Sequence, residues 1–287
     1  MKILSFGEIL WDIYPDAKVI GGASLNLAAH AALLGGKSYL ASAVGNDALG
    51  PEAIETAKKL KISDKFISTL SDRETGAVIV TLTDKGVPSY EIKDNVAYDF
   101  IDFPEIDGYS FDVLAFGTLA LRHEKNKETL SKILKSYSFS EIYSDLNIRL
   151  PHSDKESVDF CLSSATIIKV SDEEMPTVSD WIFSKDFLDK DFAIEISKKY
   201  SNIKLIIITK GEKGSLAFDV GKSKFYHCDA IATKVISTVG AGDSFGAAFL
   251  TKYFSKSDIK ECLSFASRLS SYVCSKKDAV PDTSKIF

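Results

Sequence analysis

Leu205-Ile206-Ile207-Ile208 is an apolar run without a polar interruption, mostly β-branched. A half-exposed strand alternates apolar and polar residues. A run that does not alternate needs cover on both faces, the condition of a central strand in a parallel sheet. Parallel neighbours need long crossover connections, so the chain must also supply helices between strands. Strand-length apolar stretches do recur, at residues 113–116, 141–145, 166–170 and 204–209, with helix-length stretches between them. The N-terminal part follows the same rhythm. Residues 3–6 read as a buried strand, 25–34 as a helix apolar on nearly every face, and 39–44 as a second strand. The expected fold class is α/β with a mostly parallel central sheet. The 287 residues suffice for one large domain of this kind.

Two stretches break the rhythm. Residues 75–82, the turn-forming Asp84-Lys85-Gly86 and residues 87–92 read as a β-hairpin, as do 215–218 with 224–228. The first implies a small added sheet, open to three readings: a lid, a dimer surface or a decoration. No internal repeat or low-complexity linker divides residues 1–287, which read as one domain plus that sheet.

Polar residues gather just after the expected strand ends: Asp145, Asn147 and Arg149; Lys169, Ser171 and Glu174; Thr209, Lys210 and Gly211. Ligands of open parallel sheets bind outside the carboxyl ends of the strands, so several such clusters in succession imply one shared cleft. The stretch 237–246, Ser-Thr-Val-Gly-Ala-Gly-Asp-Ser-Phe-Gly, adds a second kind of signal. Phe245, Ala248, Phe249 and Tyr253 recur at helical spacing, which places Gly240, Ala241 and Gly242 at a helix N-terminus. Unpaired amides and the helix dipole make such a turn an anion site. Asp243 within it has two readings: a cap for the amides, or a base that takes a proton from a hydroxyl attacking a phosphoryl group. Asn26, inside the apolar helix, is either a satisfied core amide or a ligand contact.

Other motifs fail on spacing. Gly35-Gly36-Lys37-Ser38 is not a P-loop, because Ala31 stands where its first glycine belongs and a helix precedes it; it reads as a helix C-cap. Gly240 and Gly242 are followed by Gly246, one residue too late for a dinucleotide fingerprint. A net charge of −5 offers no field for nucleic acid or an anionic membrane. Cys161, Cys228, Cys262 and Cys274 form no metal or disulfide pattern and fit a reducing compartment. Glu8 and Asp12 interrupt the first apolar stretch, so no signal peptide is expected, and no uncharged apolar run reaches membrane-spanning length. A cytoplasmic location is the expectation.

With these residues in view, the chain resembles the ribokinase-like (PfkB-type) carbohydrate kinases, and among them the fructokinases. The resemblance runs over nearly the whole chain. It is carried by Thr238-Val239-Gly240-Ala241-Gly242-Asp243, by Gly21-Gly22 with Asn26, and by Gly35 with Val44-Gly45, Asp47 and Gly50. Residues 7–12 (Gly-Glu-Ile-Leu-Trp-Asp), 145–149 (Asp-Leu-Asn-Ile-Arg) and 168–174 (Ile-Lys-Val-Ser-Asp-Glu-Glu) are similar to fructokinases. The resemblance implies a three-layer α/β/α fold with a β-lid from about 12–20 and 73–100, and transfer of the ATP γ-phosphoryl to a sugar hydroxyl. It implies Asp243 as catalytic base and the amides of Gly240, Ala241 and Gly242 as anion hole. Asp12, Gly22 and Asn26 match sugar-contacting positions, with Asn147 and Arg149 between sugar and phosphates. For Arg149 an ion pair with Asp145 is the competing reading. On the nucleotide side the resemblance assigns Lys169, Thr209, Gly211, Gly214, Gly242 and Ser267, and Glu174 matches the acid that organises Mg²⁺ through water. Ser267 stands where many members carry Asn near the adenine. Ser237 replaces the usual Asp of a loop that carries potassium activation in many members, so K⁺ is implied only if Ser237 can serve there. A homodimer through the hairpin strands is a further implication.

Three functions are then open: a fructose kinase; a kinase of this fold acting on 2-keto-3-deoxygluconate, ribose or a nucleoside; and a catalytically silent sugar-binding protein. Retention of Gly240, Gly242 and Asp243 argues against the last.

Overall fold

The computed structural model describes residues 1–82 and 88–283. The chain opens with β1 (Lys2–Phe6), β2 (Leu10–Ile13), β3 (Lys18–Gly21), α1 (Ala23–Leu33), β4 (Lys37–Gly45) and α2 (Leu49–Lys59). It continues through β5 (Ile62–Ser63), β6 (Ile67–Leu70), β7 (Gly76–Leu82), β8 (Pro88–Ile92), β9 (Val113–Gly117), α3 (Glu124–Ser136) and β10 (Glu141–Asp145). Next come α4 (Lys155–Ser164), β11 (Ile167–Ser171), α5 (Met175–Phe183), α6 (Asp189–Lys199) and β12 (Leu205–Thr209). The chain ends with β13 (Ser215–Asp219), β14 (Lys224–Cys228), α7 (Ala241–Phe254) and α8 (Ile259–Cys274). The ten-stranded main sheet runs β14-β13-β12-β11-β10-β9-β1-β4-β5, with β6 on β4. It is parallel from β12 to β5, and β13 and β14 close one edge antiparallel.

Side-chain alternation divides the core. Leu4 and Phe6, Ile168 and Val170, and Ile206 and Ile208 pack with α3 to α6 on one face. Ile3, Ile167, Leu205 and Ile207 pack with α7 and α8 on the other, and α1 and α2 extend that layer over β4. The 205–208 run is buried throughout because both faces are covered. The molecule is therefore a three-layer α/β/α fold. Helix α7 differs in one respect from the one-sided period read in its sequence: residues 243–250 are buried without a break, so it runs inside the molecule.

A separate four-stranded sheet has the order β3-β2-β7-β8. Strands β2 and β7 pair in parallel and the others antiparallel, so the hairpin expected at 75–92 is joined by the chain that leaves β1. The expected turn Asp84-Lys85-Gly86 lies outside the described residues. Residues Ala97–Phe100, just beyond β8, form a 3₁₀ turn whose Tyr98 and Asp99 are fully buried, Tyr98 among Leu10, Val78 and Val80 of the small sheet. Gly35 follows α1 at φ 87, and the amides of Gly35 and Gly36 return to Ala32 and Ala31, the C-cap expected there.

Candidate active site

Helix α7 begins at Gly240 with φ 78. A Cβ there would lie 2.5 Å from the carbonyl oxygen of Ala279, so only glycine fits both the conformation and the space. Ala241 N donates to Thr238 O at 3.2 Å, whereas the amides of Gly240, Gly242 and Asp243 have no acceptor among the described residues. Three unpaired donors at the positive end of a long helix form an anion site. Lys169 adds a cation: its Nζ lies 3.2 Å from the position a Cβ on Gly242 would take.

Asp243 turns inward from this helix start and is buried. Asn26 on α1 donates from Nδ2 to Asp243 Oδ2 at 2.9 Å. Burial, followed by the charges of Asp145 and Glu8, raises the Asp243 pKa to about 7, against the lowering effects of Asn26 and Lys169. A carboxylate poised there can take a proton near neutral pH. The two readings of Asn26 meet in this bond. Its amide nitrogen is satisfied by Asp243, while its buried Oδ1 has no partner.

Asp145 and Lys169 lie side by side because they are register partners in the β10–β11 ladder. Their side chains form a buried ion pair at 2.7 Å. Burial pushes the Lys169 pKa down, but Asp145, Glu174 and Asp243 outweigh it and hold it above the ordinary value. This pair corrects the competing reading of Arg149: Asp145 is taken by Lys169, and the exposed Arg149 forms no ion pair among the described residues. Asp145 Oδ1 remains buried without a partner. Glu174 spends one oxygen on Ile148 N at 2.6 Å and the other on Ser171 N at 2.8 Å, tying the loop after β10 to the end of β11.

Glu8, which the sequence placed only within a motif, holds the other side of the site. It accepts from Ala23 N at 2.8 Å and from Ser24 Oγ at 3.3 Å, capping α1, whose N-cap Gly22 has no side chain to do so. Gly22 stands at φ 111, where a Cβ would be 2.5 Å from Glu8 O. Burial raises the Glu8 pKa despite these bonds. A charged residue two positions past a buried strand was the available signal.

Two clefts meet at the start of α7. One of 720 Å³ includes Asp12, Gly22, Asn26, Asn147, Arg149 and Asp243 in its walls. Within it, desolvation alone lifts the Asp12 pKa to about 6. The other, of 620 Å³, includes Thr209, Gly211, Gly214 and Ser267, with the apolar Ile231 and Val235 at its mouth. Thr238 and Gly242 belong to both. Each volume suits a small organic ligand. Lys169 lines the first cleft; Glu174 lines neither. Ser237 is held by its amide to Cys274 O at 3.2 Å, and its Oγ accepts from Val239 N at 3.2 Å.

Comparison with known proteins gives this geometry a family. The chain is 28% identical over 311 residues to fructokinase-2 of Solanum lycopersicum, covering 97% of this chain and 92% of that one. It is 27% identical to the probable fructokinase-5 of Arabidopsis thaliana, covering 97% and 93%. An uncharacterized sugar kinase from Pyrococcus horikoshii, solved in complex with ATP, superposes with a TM-score of 0.83 at 26% identity, covering 97% and 94% of the two chains. The fructokinase from Vibrio cholerae O395, solved with fructose, ADP and calcium ion, shares the fold with a TM-score of 0.83 at 21% identity, covering 98% and 95%. The family model of the pfkB carbohydrate kinases matches residues 16–286, and the chain belongs to that family.

Proposed function

We propose that the protein transfers the γ-phosphoryl group of ATP to a hydroxyl of fructose. The observation that carries this reading is the meeting of two ligand-sized clefts at a helix start whose amides are free to bind an anion and whose Asp243 has a pKa raised to about 7. The nucleotide occupies the cleft of Thr209, Gly211, Gly214 and Ser267, with its phosphates directed at Gly242. The sugar occupies the cleft of Asp12, Gly22 and Asn26. Asp12 and Asn26 orient the hydroxyl in line with the phosphorus. Asp243 takes the hydroxyl proton, the new O–P bond forms, the bond to the bridging oxygen breaks, and ADP leaves. The amides of Gly240, Gly242 and Asp243, with Lys169 beside them, stabilise the charge on the transferring group. Ala241 N is spent on Thr238, so its part in the anion hole requires that turn to open. Arg149, without an ion partner among the described residues, is available to phosphate oxygens.

The donor set fits Mg²⁺ bound through phosphate and water. Asp145 keeps a buried acceptor unpaired, and Glu174, already bonded to two amides, has lone pairs left for water. Mg²⁺ usually keeps several waters when held by one or two carboxylates and substrate phosphates. Held there by Asp145 and Glu174 through water, it would neutralise charge on the phosphates. K⁺ is no part of this proposal, since Ser237 offers no carboxylate. Fructose is favoured over an acid sugar because Asp12 and Glu8 line its cleft, and desolvated carboxylates seek hydroxyl donors and repel another carboxylate. The small sheet, carrying Asp12, serves as a lid that excludes water during transfer. The proposed setting is the cytoplasm, with the lid strands available for a homodimer.

ADP release from ATP with fructose, glucose, ribose, adenosine and 2-keto-3-deoxygluconate tests the assignment. Fructose is expected to give the highest kcat/KM. A clear win for another acceptor sinks the fructose assignment, and no turnover with any acceptor sinks the kinase mechanism.

A further inference from the structure

A second buried charged cluster lies behind the sugar cleft. Arg122 follows the short turn after β9, and its side chain is 4% exposed. Its Nε and Nη2 donate to the two oxygens of Asp99, each at 2.7 Å. Nη2 also donates to the carbonyl of Lys93 at 2.7 Å, and Nη1 lies 3.3 Å from Nδ1 of His152. The carboxylate of Asp94 is 3.6 Å away, and the guanidinium lies over the ring of Tyr98 at 5.1 Å. Burial and then the charge of Arg122 lower the His152 pKa, so the imidazole is neutral and its Nδ1 can accept. Asp94, Asp99 and His123 come close enough together to hold a metal ion, but Arg122 already occupies both oxygens of Asp99 and supplies the cation.

These partners reach one cleft from two segments: Tyr90, Glu91 and Ile92 line it just ahead of Lys93, and His152 lines it directly. Lys93 and Asp94 are the first residues beyond β8, the root of the small sheet. His152 lies in the loop after β10 that carries Asn147 and Arg149, and it lines the sugar cleft with them. Asp99 is the fixed point: it also accepts from Val96 N at 3.0 Å, and Asn126 clamps its turn through Tyr98 O and Ile101 N, each at 2.8 Å. Arg122 itself lines neither cleft. We infer that Arg122 is a positioning residue for the acceptor: it fixes the root of the small sheet against the 147–153 loop and so sets the spacing of the two walls that grip the sugar. A planar guanidinium can hold a carboxylate, a carbonyl and an imidazole at once, which a single ammonium cannot. The nucleotide cleft is built from other segments and shares none of these partners.

This inference rests on the kinase reading of the sugar cleft, and its test has an arm that does not. Arg122→Lys keeps the charge facing Asp99 and loses the reach to Lys93 and His152. Its KM for the best wild-type acceptor is expected to rise about tenfold or more, with the KM for ATP within about twofold of wild type. The double variant Arg122→Gln with Asp99→Asn removes both buried charges together and is expected to show the same split. Equal shifts of both KM values, or a wild-type acceptor KM in the double variant, would overturn the inference. Hydrogen exchange without substrate is the second arm. In Arg122→Lys, exchange is expected to rise together in 88–93 and 147–153 and to stay unchanged in 205–209. A rise in only one segment, or in neither, also overturns it. An enzyme inactive on every sugar but showing the paired rise sinks the kinase reading and leaves the coupling standing.

Discussion

Asp99 and Asp243 are both buried, and each is held by a side chain from a distant segment, but the two carboxylates are supplied differently. Asp99 receives Arg122 on both oxygens and Val96 N on one of them. Asp243 receives one side-chain donor, Asn26 Nδ2, and has the like charges of Asp145 and Glu8 near it. Around Asp99 the charge is matched and the backbone pinned. Around Asp243 the charge is under-matched, Asn26 Oδ1 and Asp145 Oδ1 have no partners, and a cleft opens in front. In a low dielectric a satisfied polar network fixes structure, whereas missing partners raise the energy of the charged form and leave room for a substrate to supply them.

The largest effect expected from this contrast is on turnover. Asp243→Asn keeps an oxygen for Asn26 and removes the proton acceptor. The kcat is expected to fall on the order of 10³-fold to 10⁴-fold while the KM for ATP and sugar stays near wild type. Turnover within tenfold of wild type in an ADP-release assay would take Asp243 out of the base role and make it another structural carboxylate.

The opposite manipulation at the matched site acts on stability. Arg122→Gln leaves the Asp99 charge buried with Val96 N as its donor and His123 Nε2 3.7 Å away, and removing one partner of a buried pair costs about 3–5 kcal/mol. Urea unfolding at neutral pH measures it. A loss below about 1 kcal/mol would mean that water reaches Asp99 and that the two sites are not different in kind.

How much of this could be read in advance follows from range. The 205–208 run fixes a central strand by composition alone, and residues 237–246 carry a helix start, a turn and an acid in consecutive positions. Local signals of that kind survive in a single sequence. The Asp145–Lys169 pair depends on strand register between β10 and β11, which no local pattern encodes, so Asp145 was read against its near neighbour Arg149. Arg122 opens the polar run Arg122-His123-Glu124-Lys125-Asn126-Lys127, which has the composition of a solvated helix start. Its burial comes from Lys93, Asp99 and His152, each more than twenty positions away in sequence. Asn26 was flagged as an amide in a dry helix, yet its partner is separated from it by 217 positions.

Asp243 should also limit stability in the direction opposite to Arg122. Its pKa is about 7 in the folded protein, against an ordinary value of 3.8. A raised carboxyl pKa means that the folded state holds the proton more tightly. Its favourable contribution is full below the unfolded value and is lost as pH rises through about 7. Asp243→Asn is spared that loss. At pH 8 the variant is expected to be more stable than wild type by on the order of 4 kcal/mol, and by much less at pH 4. Thermal unfolding at the two pH values checks this. Equal stability at both would mean that Asp243 is as well matched as Asp99.

The smallest effect concerns Asn26, the side-chain donor to Asp243. In the proposed mechanism the unprotonated carboxylate is the active form, so kcat/KM should fall as pH drops through about 7. The hydrogen bond from Asn26 favours the ionised form, and losing it leaves desolvation less opposed. Asn26→Ala is therefore expected to move the acid limb upward by about one pH unit, the order expected from one hydrogen bond to a charged group. Asp12, whose pKa is about 6, lies in the same cleft and has no hydrogen bond to Asn26 among the described residues, so a limb set by Asp12 would stay where it is. An unmoved limb in Asn26→Ala would transfer the titration to Asp12, and a downward move would contradict the assignment of Asn26 as the donor that keeps Asp243 ionised.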